Sequence, residues 1–290
     1  MKGVKKVYKF KLFQIEDLGD GIYFIVDCSK VGMYLVVGAE RAALIDCGTG
    51  IGNLKECIES ITNKPVKLLA THGHVDHIGG ACNYNEIYIN EKDRNLMADG
   101  MSIKKRLQFA EFGKDTMCGD SHWTLDDFVT NKEITIMPIY VGDAIDLGGR
   151  TLSVINMSGH TRGSVGYFDD RTGTLFSGDG CNDGTLVFSE ESTKISHYRR
   201  TLQNIKKQLG ERYKRHAICH KYSFVPLDCI DNVIECCEII LSGMAENDPF
   251  PKMYKALGMN VDSVVWAKAG GGDRLDGKFG NIAYDIRKAE

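Results

Sequence analysis

The stretch His72-Gly73-His74-Val75-Asp76-His77 decides how this sequence is interpreted, because it places four potential metal ligands within six positions. It directly follows the apolar run 66–70, which has the composition of a β-strand. A regular strand or helix cannot turn all four side chains towards one ion, so we expect a curled loop that presents ligands in two directions. The sequence therefore predicts a strand that ends in a metal-binding loop, with two metal ions rather than one.

Three further ligand candidates each come at a turn just beyond an apolar run. They are His160 in Ser158-Gly159-His160-Thr161, Asp179 in Ser177-Gly178-Asp179-Gly180, and His220 in Ala217-Ile218-Cys219-His220. Strand ends place side chains with little positional scatter, because the sheet behind them is rigid. Three other histidines lack this context, and we interpret them as ordinary surface or core residues: His122, His197 and His216.

Composition narrows the classes of function. The 290 residues include 36 Lys and Arg and 39 Asp and Glu, which give a formal net charge of -3. A chain with this charge has no excess of positive charge that would attract nucleic acid. The basic N-terminus is not followed by an uninterrupted apolar segment, so we expect neither a signal peptide nor a membrane span. The 10 Cys show no CxxC spacing, and we expect reduced thiols in a cytoplasmic protein. The oligomeric state is left open.

Strand and helix patterns predict an α/β (α+β) chain. Short β-rich runs at 21–26, 33–37 and 42–46 are typical of an antiparallel meander. Apolar residues at helical spacing over 54–61 then predict a helix that covers one face of this first sheet. The strand at 66–70 follows and leads into the histidine loop.

The second half of the chain repeats this organisation. Strand patterns at 134–139, 151–155, 165–168 and 174–176 are assigned to a second sheet, and two apolar stripes within 195–209 and 230–240 predict amphipathic helices. Between the two halves, residues 91–132 are expected to form a helical insertion, either over the site or as surface padding. Because no linker or repeat is visible, we expect one domain over residues 1–290.

In their order, these motifs resemble the metallo-β-lactamase-fold superfamily, in its glyoxalase II-like and lactonase-like branch. The HxHxDH loop, the GH[TS]xG[SH] turn, the SGD turn and the C-terminal His of that superfamily are matched by residues 72–77, 159–164, 177–179 and 220. The resemblance spans roughly residues 20–225. It implies a four-layer αββα sandwich of two mixed β-sheets flanked by helices.

The same resemblance implies a role for each candidate. Asp46 would orient the histidine loop from behind the ligands, and Tyr222 would contact the substrate. Independently of the resemblance, the cation of Lys221 is a candidate contact for an anionic substrate. Neutral imidazole and carboxylate donors suit Zn²⁺, and Fe or Mn would accept the same donors. The implied metal ligands fall into three groups, which are His72, His74 and His160 for the first ion, Asp76, His77 and His220 for the second, and Asp179 as the bridge between them.

Such a site predicts a metallohydrolase. Two divalent ions, two carboxylates and a bridging hydroxide leave a net charge of about +1, which can stabilise an oxyanion. We expect an intracellular binuclear metal-dependent hydrolase of a small carbonyl ester, thioester or lactone. Its nucleophile would be the metal-bridging hydroxide, with Asp76 as the catalytic residue that moves the proton. The expected partner is a small-molecule substrate.

Three alternatives remain open at this stage. A phosphodiesterase or nuclease of the same fold could use the same two-metal clamp. An iron-dependent oxidoreductase, either persulfide dioxygenase-like or diiron, could use a related ligand set, and a non-catalytic metal-stabilised module could use a closed one. The Lys-x-Tyr pair that glyoxalase II carries after its bridging Asp is absent from residues 182–188, which argues against glutathione thioesters.

Overall fold

The structure, a computed structural model, describes residues 6–116, 123–130, 133–269 and 273–290. His122 and parts of the 91–132 segment lie outside these ranges. The chain divides into two compact units, the first within Met1–Leu152 and Cys219–Ser223, the second within Ser153–Ile218 and Phe224–Glu290. The single domain expected over residues 1–290 stays a prediction.

The first unit contains a mixed sheet whose strands β1 to β8 lie side by side in chain order. Neighbouring strands are antiparallel from the first to the fifth and parallel from the fifth to the eighth. The antiparallel meander predicted from the sequence is thereby confirmed. The strands are β1 Lys6–Phe10, β2 Phe13–Asp17, β3 Ile22–Val26, β4 Gly32–Val37, β5 Ala42–Ile45, β6 Val66–Leu69, β7 Glu86–Ile89 and β8 Thr135–Pro138, and β9 Ala144–Asp146 follows them.

The assignment of the strand at 134–139 to the second sheet is wrong. β8 belongs to the first sheet, where Glu86 of β7 pairs with Thr135 in parallel register. Parallel neighbours need a long crossover connection, and the segment between β7 and β8 supplies it. The predicted insertion is therefore the connection that allows β8 to join the sheet.

Helices cover this sheet and its loops. Asn53 caps the first of them by accepting a hydrogen bond from the backbone N of Glu56 at 3.1 Å, and the buried Leu54, Cys57 and Ile58 turn towards the sheet core. This amphipathic spacing is the one that the sequence predicts. The α-helices of the unit are α1 Leu54–Glu59, α2 Val75–Ile78, α3 Arg94–Gly100 and α4 Ile103–Thr116, with 3-10 turns at Gly79–Asn83, Glu91–Asp93 and Leu125–Asp127.

A buried arginine fixes helix α4. Arg106 is fully buried, and its guanidinium donates hydrogen bonds to the carbonyl oxygens of Thr49, Gly50 and Val129 at 2.9, 2.6 and 2.9 Å. It also lies 5.5 Å from the ring centroid of Phe128, within range of a cation–π interaction. A buried charge is tolerated only where such partners replace water. Helix α4 is thus packed into the unit, and the position of the 91–132 segment over the site stays a prediction.

The second unit contains two sheets. In the larger one, the strands of this unit lie in the order β15-β14-β12-β11-β10, with both parallel and antiparallel neighbours. The smaller one has the order β13-β18-β17-β16. The β-rich runs 263–267 and 281–286 predict strands where β17 and β18 lie, but the separate sheet that these strands form was not predicted. The strands are β10 Thr151–Asn156, β11 Val165–Asp169, β12 Thr174–Phe176, β13 Thr185–Val187, β14 Arg215–Ala217, β15 Phe224–Val225, β16 Asp248–Pro249, β17 Val264–Trp266 and β18 Ile282–Asp285.

Two long helices pack on the larger sheet of this unit. Ile195, Leu202 and Ile205 of the first helix share one buried cluster with Val233 and Ile240 of the second, as the two predicted stripes require. Each fully buried Leu or Ile contributes roughly 1.5–3 kcal/mol relative to an exposed one. The helices are α5 Ile195–Leu209 and α6 Cys229–Leu241, with 3-10 turns at Gly178–Gly180, Gly210–Arg212, Lys252–Leu257 and Ile286–Lys288.

The predicted fold class is confirmed. Each unit contains a mixed sheet with helices packed on it, the combination of elements that the predicted α/β fold class requires, and the second unit has the smaller sheet in addition. Among the described residues, no helix combines the length and the apolar character needed to cross a membrane.

Candidate metal centre

The histidine loop begins where β6 ends, and Asp46, which directly follows the neighbouring strand β5, holds it. One carboxylate oxygen of Asp46 accepts the backbone N–H of Thr71 at 2.7 Å. The other accepts the Thr71 hydroxyl at 2.8 Å and lies 2.8 Å from Nδ1 of His77. Asp46 itself has a φ of +62°, a conformation that costs an L-residue free energy. The predicted role of Asp46 behind the ligands agrees with these contacts.

These contacts also determine which ring nitrogens carry protons. Because the Asp46 carboxylate can only accept, Nδ1 of His77 is the donor, which leaves the lone pair on Nε2. The Thr71 hydroxyl has given its single proton to Asp46 and therefore accepts from Nδ1 of His72, 3.0 Å away. In both imidazoles the Nε2 atom is thus left as the potential metal ligand.

Asp76, His77 and His220 lie together within the first unit. Oδ2 of Asp76 is 3.4 Å from Nε2 of His77 and 3.6 Å from Nε2 of His220. Two ligand atoms bound to one tetrahedral ion at about 2.0–2.1 Å are about 3.4 Å apart. The spacing of these three atoms therefore fits a shared divalent ion.

His72 and His74 form a second ligand pair in the same unit. Nε2 of His72 lies 3.0 Å from Nδ1 of His74, and the two rings meet edge to face with centroids 4.8 Å apart. His74 is also the N-cap residue of α2, so its backbone begins the helical turn that carries Asp76 and His77. The loop thus carries two groups of potential ligands, and the two metal ions expected from the sequence stay a prediction.

His220 reaches these residues because the chain returns to the first unit for a few positions. It forms an antiparallel bridge with Val31, and the backbone N–H of Gly32 donates to the carbonyl oxygen of Cys219 at 2.6 Å. The hydroxyl of Tyr34 donates to the carbonyl oxygen of Ser223. The segment is therefore attached to β4 of the first sheet.

The sequence analysis missed Cys219. One ligand atom each of His77, Cys219 and His220 lie within 4.8 Å of one another, and the Cys219 side chain is buried. The residue directly precedes the predicted ligand His220, and this adjacency was the available signal. It was overlooked because all cysteines were interpreted as core thiols.

The two predicted substrate contacts follow directly after His220. The backbone N–H of Tyr222 donates to the carbonyl oxygen of His220 at 2.7 Å, and Lys221 between them has a φ of +61°. Both side chains are exposed, Tyr222 at 45%. They are therefore accessible at the surface of the first unit, and their contact with a substrate stays a prediction.

His160 and Asp179 lie together within the second unit. Nε2 of His160 is 3.7 Å from Oδ2 of Asp179, and Nδ1 of His160 lies 2.6 Å from the carbonyl oxygen of Leu186. A carbonyl oxygen only accepts, so Nδ1 carries the proton and Nε2 is the potential ligand. The amide of Asn182 donates to the other oxygen of Asp179 at 3.2 Å. The sequence analysis did not identify Asn182.

A buried histidine supports the Asp179 loop from behind. Nε2 of His216 lies 2.9 Å from the Ser177 hydroxyl and 3.1 Å from the carbonyl oxygen of Cys181. Burial lowers the pKa of His216 from 6.5 to about 4. The ring is therefore neutral at physiological pH and, as the sequence analysis expected, belongs to the core.

Helix α3 supports the histidine loop from the other side. A carboxylate oxygen of Asp93 accepts the backbone N–H of Gly73 at 3.1 Å. A Cβ at Gly73 would lie 2.8 Å from both the Asp93 carbonyl oxygen and the Met97 backbone nitrogen. The loop can approach α3 this closely because position 73 has no side chain. No sequence pattern predicted the role of Asp93.

The donor set as a whole fits divalent metal ions. Neutral imidazoles and carboxylates are donors that Zn²⁺, Fe and Mn accept. Three of the imidazoles, those of His72, His77 and His160, donate their other N–H to an oxygen atom, an arrangement typical of metal-binding histidines. We conclude that the two units carry residues suited to divalent metal binding.

Comparisons with known proteins support this conclusion. Residues 27–180 match the family model of the metallo-β-lactamase superfamily. Acyl-coenzyme A thioesterase MBLAC2 from Homo sapiens is 28% identical over 207 residues, which cover 66% of this chain and 74% of that protein. Hydroxyacylglutathione hydrolase GloC from Haemophilus influenzae is 30% identical over 146 residues, which cover 48% of this chain and 61% of that protein.

Solved structures show the same fold. The crystal structure of a metallo-β-lactamase from Erythrobacter litoralis, with β-mercaptoethanol in its active site, covers 80% of this chain and 99% of its own, with a TM-score of 0.57 and 14% identity. At that identity, the likeness concerns the fold alone. Because the family model spans more than half of the sequence and both named relatives are hydrolases, the chain is a hydrolase that belongs to the metallo-β-lactamase superfamily.

Proposed function

We propose that seven residues of this chain hold two divalent metal ions, with the assignment that the family resemblance implies. The distances within each unit support this proposal, since Asp76 lies 3.4 and 3.6 Å from two imidazole nitrogens and Asp179 lies 3.7 Å from a third. Zn²⁺ is the proposed metal, because every assigned ligand is an imidazole or a carboxylate. The ligands are His72, His74, Asp76, His77, His160, Asp179 and His220.

We further propose that the reaction is hydrolysis of a thioester, with an acyl-coenzyme A as the substrate class. The observation that carries this proposal is the similarity over 207 residues to acyl-coenzyme A thioesterase MBLAC2. A second relative, hydroxyacylglutathione hydrolase GloC, is also named for a thiol-derived substrate. Of the three carbonyl substrates expected from the sequence, the thioester is therefore favoured over the ester and the lactone.

The residues of the proposed site have different chemical roles. When bound, the metal ions would polarise the substrate carbonyl and lower the pKa of a water molecule towards neutrality. Asp76 would accept and pass on a proton, because its carboxylate lies between two imidazoles and only 7% of the residue is exposed. Asp46, Thr71 and the Leu186 carbonyl would keep the three imidazoles in the tautomer that exposes Nε2.

The test is a substrate panel on the purified protein loaded separately with Zn²⁺, Mn²⁺ or Fe²⁺. The panel contains a short-chain and a long-chain acyl-coenzyme A, a hydroxyacylglutathione, a lactone and bis(p-nitrophenyl) phosphate. We expect release of free coenzyme A that stops on removal of the metal and returns on its addition. Exclusive turnover of the phosphodiester, or iron in the purified protein together with oxygen uptake, would overturn the proposal.

Two variants test whether turnover depends on the proposed proton-transfer residue Asp76. We expect Asp76→Asn to lower kcat for acyl-coenzyme A by at least about 100-fold, the usual contribution of a positioned proton-transfer group. Tyr222→Phe serves as the comparison, because it removes one hydroxyl from a predicted substrate contact that is not a proposed metal ligand, and it should change KM rather than kcat. Normal turnover by Asp76→Asn at full metal content would remove the proposed proton role.

We also propose a reducing compartment, the cytoplasm, as the site of action. The nine cysteines of the described residues are all free thiols, and eight of them are buried. Burial raises the pKa of Cys47 well above 9.0 and that of Cys57 to about 12, so both thiols stay protonated. Reduced, unreactive thiols are typical of proteins from a reducing compartment.

A further inference from the structure

We propose that Tyr198 is a positioning residue that holds the His160 turn and the Asp179 loop in one fixed arrangement. This inference rests on the proposed metal-dependent function, since it assigns a purpose to residues that do not themselves contact a metal. Tyr198 lies in the first turn of α5 and is fully buried. Its two ends contact two different loops of the second unit.

The ring of Tyr198 fixes the turn that carries His160. A Cβ added to Gly159 would lie 2.1 Å from Cδ2 of this ring, so the backbone beside the ligand rests directly on the aromatic ring. The carbonyl oxygen of Gly159 also accepts the backbone N–H of Thr193, just before α5, at 2.9 Å. Glycine at position 159 is therefore required by the ring, and the ring in turn limits the movement of His160.

The hydroxyl of Tyr198 fixes the loop that carries Asp179. It donates to the carbonyl oxygen of Gly180 at 2.7 Å, one residue beyond the carboxylate. This acceptor is in a buried 3-10 turn, where a lost hydrogen bond leaves an unsatisfied carbonyl. Burial holds the pKa of Tyr198 well above its ordinary value, so the phenol remains a donor.

A second path joins the same hydroxyl to both ligands. The hydroxyl lies 3.5 Å from Oγ1 of Thr185, which accepts the backbone N–H of Asn182 at 3.1 Å. The Asn182 amide donates to Asp179, and the carbonyl oxygen of Leu186, the residue after Thr185, accepts from His160. Because the single proton of the Tyr198 hydroxyl goes to Gly180, its approach to Thr185 is a packing contact. Thr185 in turn lies beside both groups that orient the ligands, the Asn182 amide and the Leu186 carbonyl oxygen.

The experiment compares Tyr198→Phe with Tyr284→Phe. Tyr284 belongs to the same buried cluster, and its hydroxyl donates to Asn247 at 2.5 Å, so this control removes one partly buried hydrogen bond without touching either ligand loop. Zn²⁺ affinity is measured by competition with a chromophoric chelator. We expect Tyr198→Phe to lose about tenfold or more, the usual effect of a residue that orients metal ligands, and Tyr284→Phe to retain wild-type affinity.

Hydrogen–deuterium exchange on the metal-free proteins gives the second measurement. We expect faster exchange in residues 158–161 and 178–182 of Tyr198→Phe, and wild-type exchange there in Tyr284→Phe. With saturating metal and acyl-coenzyme A, Tyr198→Phe should lower kcat and leave KM unchanged. If Tyr198→Phe does not fold, Thr185→Val breaks the second path at its other end and is compared in the same way.

The outcomes separate the two proposals. Equal metal affinity and equal loop exchange in the two Phe variants would overturn the role of Tyr198, whatever the reaction. A wild-type protein that binds no divalent metal or cleaves no thioester would overturn the proposed function. The exchange comparison on metal-free protein would still decide whether Tyr198 positions the two loops.

Discussion

Asp46 determines the geometry of the histidine loop through a single carboxylate. It accepts hydrogen bonds from the backbone and the hydroxyl of Thr71 and from Nδ1 of His77. The Asp46 carboxylate can only accept, so Nδ1 of His77 must carry its proton. The Thr71 hydroxyl donates to Asp46 and must therefore accept from Nδ1 of His72, which fixes the tautomer of His72 as well. The two imidazoles therefore do not need a metal ion to select their ligand nitrogen.

We expect Asp46→Asn to lower Zn²⁺ affinity by about 10-fold to 100-fold, the range found for residues that orient metal ligands. The shape of the side chain is retained, but one acceptor oxygen becomes a donor that faces Thr71 or His77. His77 can then adopt the other tautomer, in which Nε2 carries the proton and cannot bind a metal. The measurement is chelator competition at neutral pH.

Asp169→Asn is the control for this prediction. The Asp169 carboxylate is also buried, and it accepts hydrogen bonds from the backbone N–H of Arg171 and from the hydroxyl of Thr172, neither of which is a predicted ligand. We expect a lower free energy of unfolding but wild-type metal affinity. An equal loss of affinity in both variants would show that general loosening, rather than the tautomer of His77, accounts for the effect of Asp46→Asn.

At the scale of the element, helix α3 and the histidine loop are in close contact. Asp93 accepts the N–H of Gly73, and a Cβ at Gly73 would lie within 2.8 Å of the backbone of α3. The carbonyl oxygen of Gly73 in turn lies 3.1 Å from the position that a Cβ of Gly100 would occupy, at the end of the same helix. Two glycines thus permit a close approach between the connection from β7 to β8 and the ligand loop.

Gly73→Ala is expected to destabilise the fold and to weaken metal binding. The new methyl group meets backbone atoms of α3, which cannot move as a flexible side chain could, so the loop must shift. Overpacking of this kind costs about 1–3 kcal/mol, and the shift should also displace His72 and His74. Urea-induced unfolding and chelator competition measure the two effects.

Gly113→Ala is the matched control within α4. A Cβ there would lie 3.6 Å from atoms of Ser29, an ordinary contact, and the position is helical. Alanine in a helix is favoured over glycine by roughly 0.5–1 kcal/mol, so this variant should be slightly more stable and bind metal normally. Wild-type metal affinity in Gly73→Ala would show that α3 does not set the position of the loop.

Some elements could be predicted from patterns among neighbouring residues, but the sheet to which a strand belongs depends on pairing with strands far away in the sequence. The meander β3 to β5 and the helices α5 and α6 follow from alternation and from apolar stripes, which depend on neighbouring residues alone. The sheet to which β8 belongs depends instead on its pairing with β7, whose partner residues come 49 positions earlier in the chain. The small sheet of β13 and β16 to β18 likewise joins strands far apart in sequence.

The same distinction applies to the site. The first four ligand candidates form one local motif at residues 72–77, and His160, Asp179 and His220 were predicted from turns that follow apolar runs. The resemblance to a known family added Asp46. Asp93 and Asn182 were not predicted because each acts through a contact that no fixed spacing indicates, and Cys219 was not predicted because it was interpreted as a core thiol. At the scale of the whole molecule, a sequence motif therefore predicts donor atoms better than it predicts the groups that orient them.

The stability of the whole molecule should depend on pH through His216. Burial lowers its pKa from 6.5 to about 4, so between these values the unfolded chain binds a proton that the folded chain does not. The contribution of His216 to the free energy of unfolding is complete above pH 6.5 and is lost as the pH falls to about 4, with a slope that approaches about 1.4 kcal/mol per pH unit. We expect His216→Gln, whose amide can still donate to Cys181, to remove this slope, as measured by urea unfolding of the metal-free proteins from pH 7 to pH 4. The exposed His197 gives the control, because we expect His197→Gln to keep the wild-type slope. Identical slopes in the wild type, His216→Gln and His197→Gln would show that His216 is protonated equally in the folded and unfolded states.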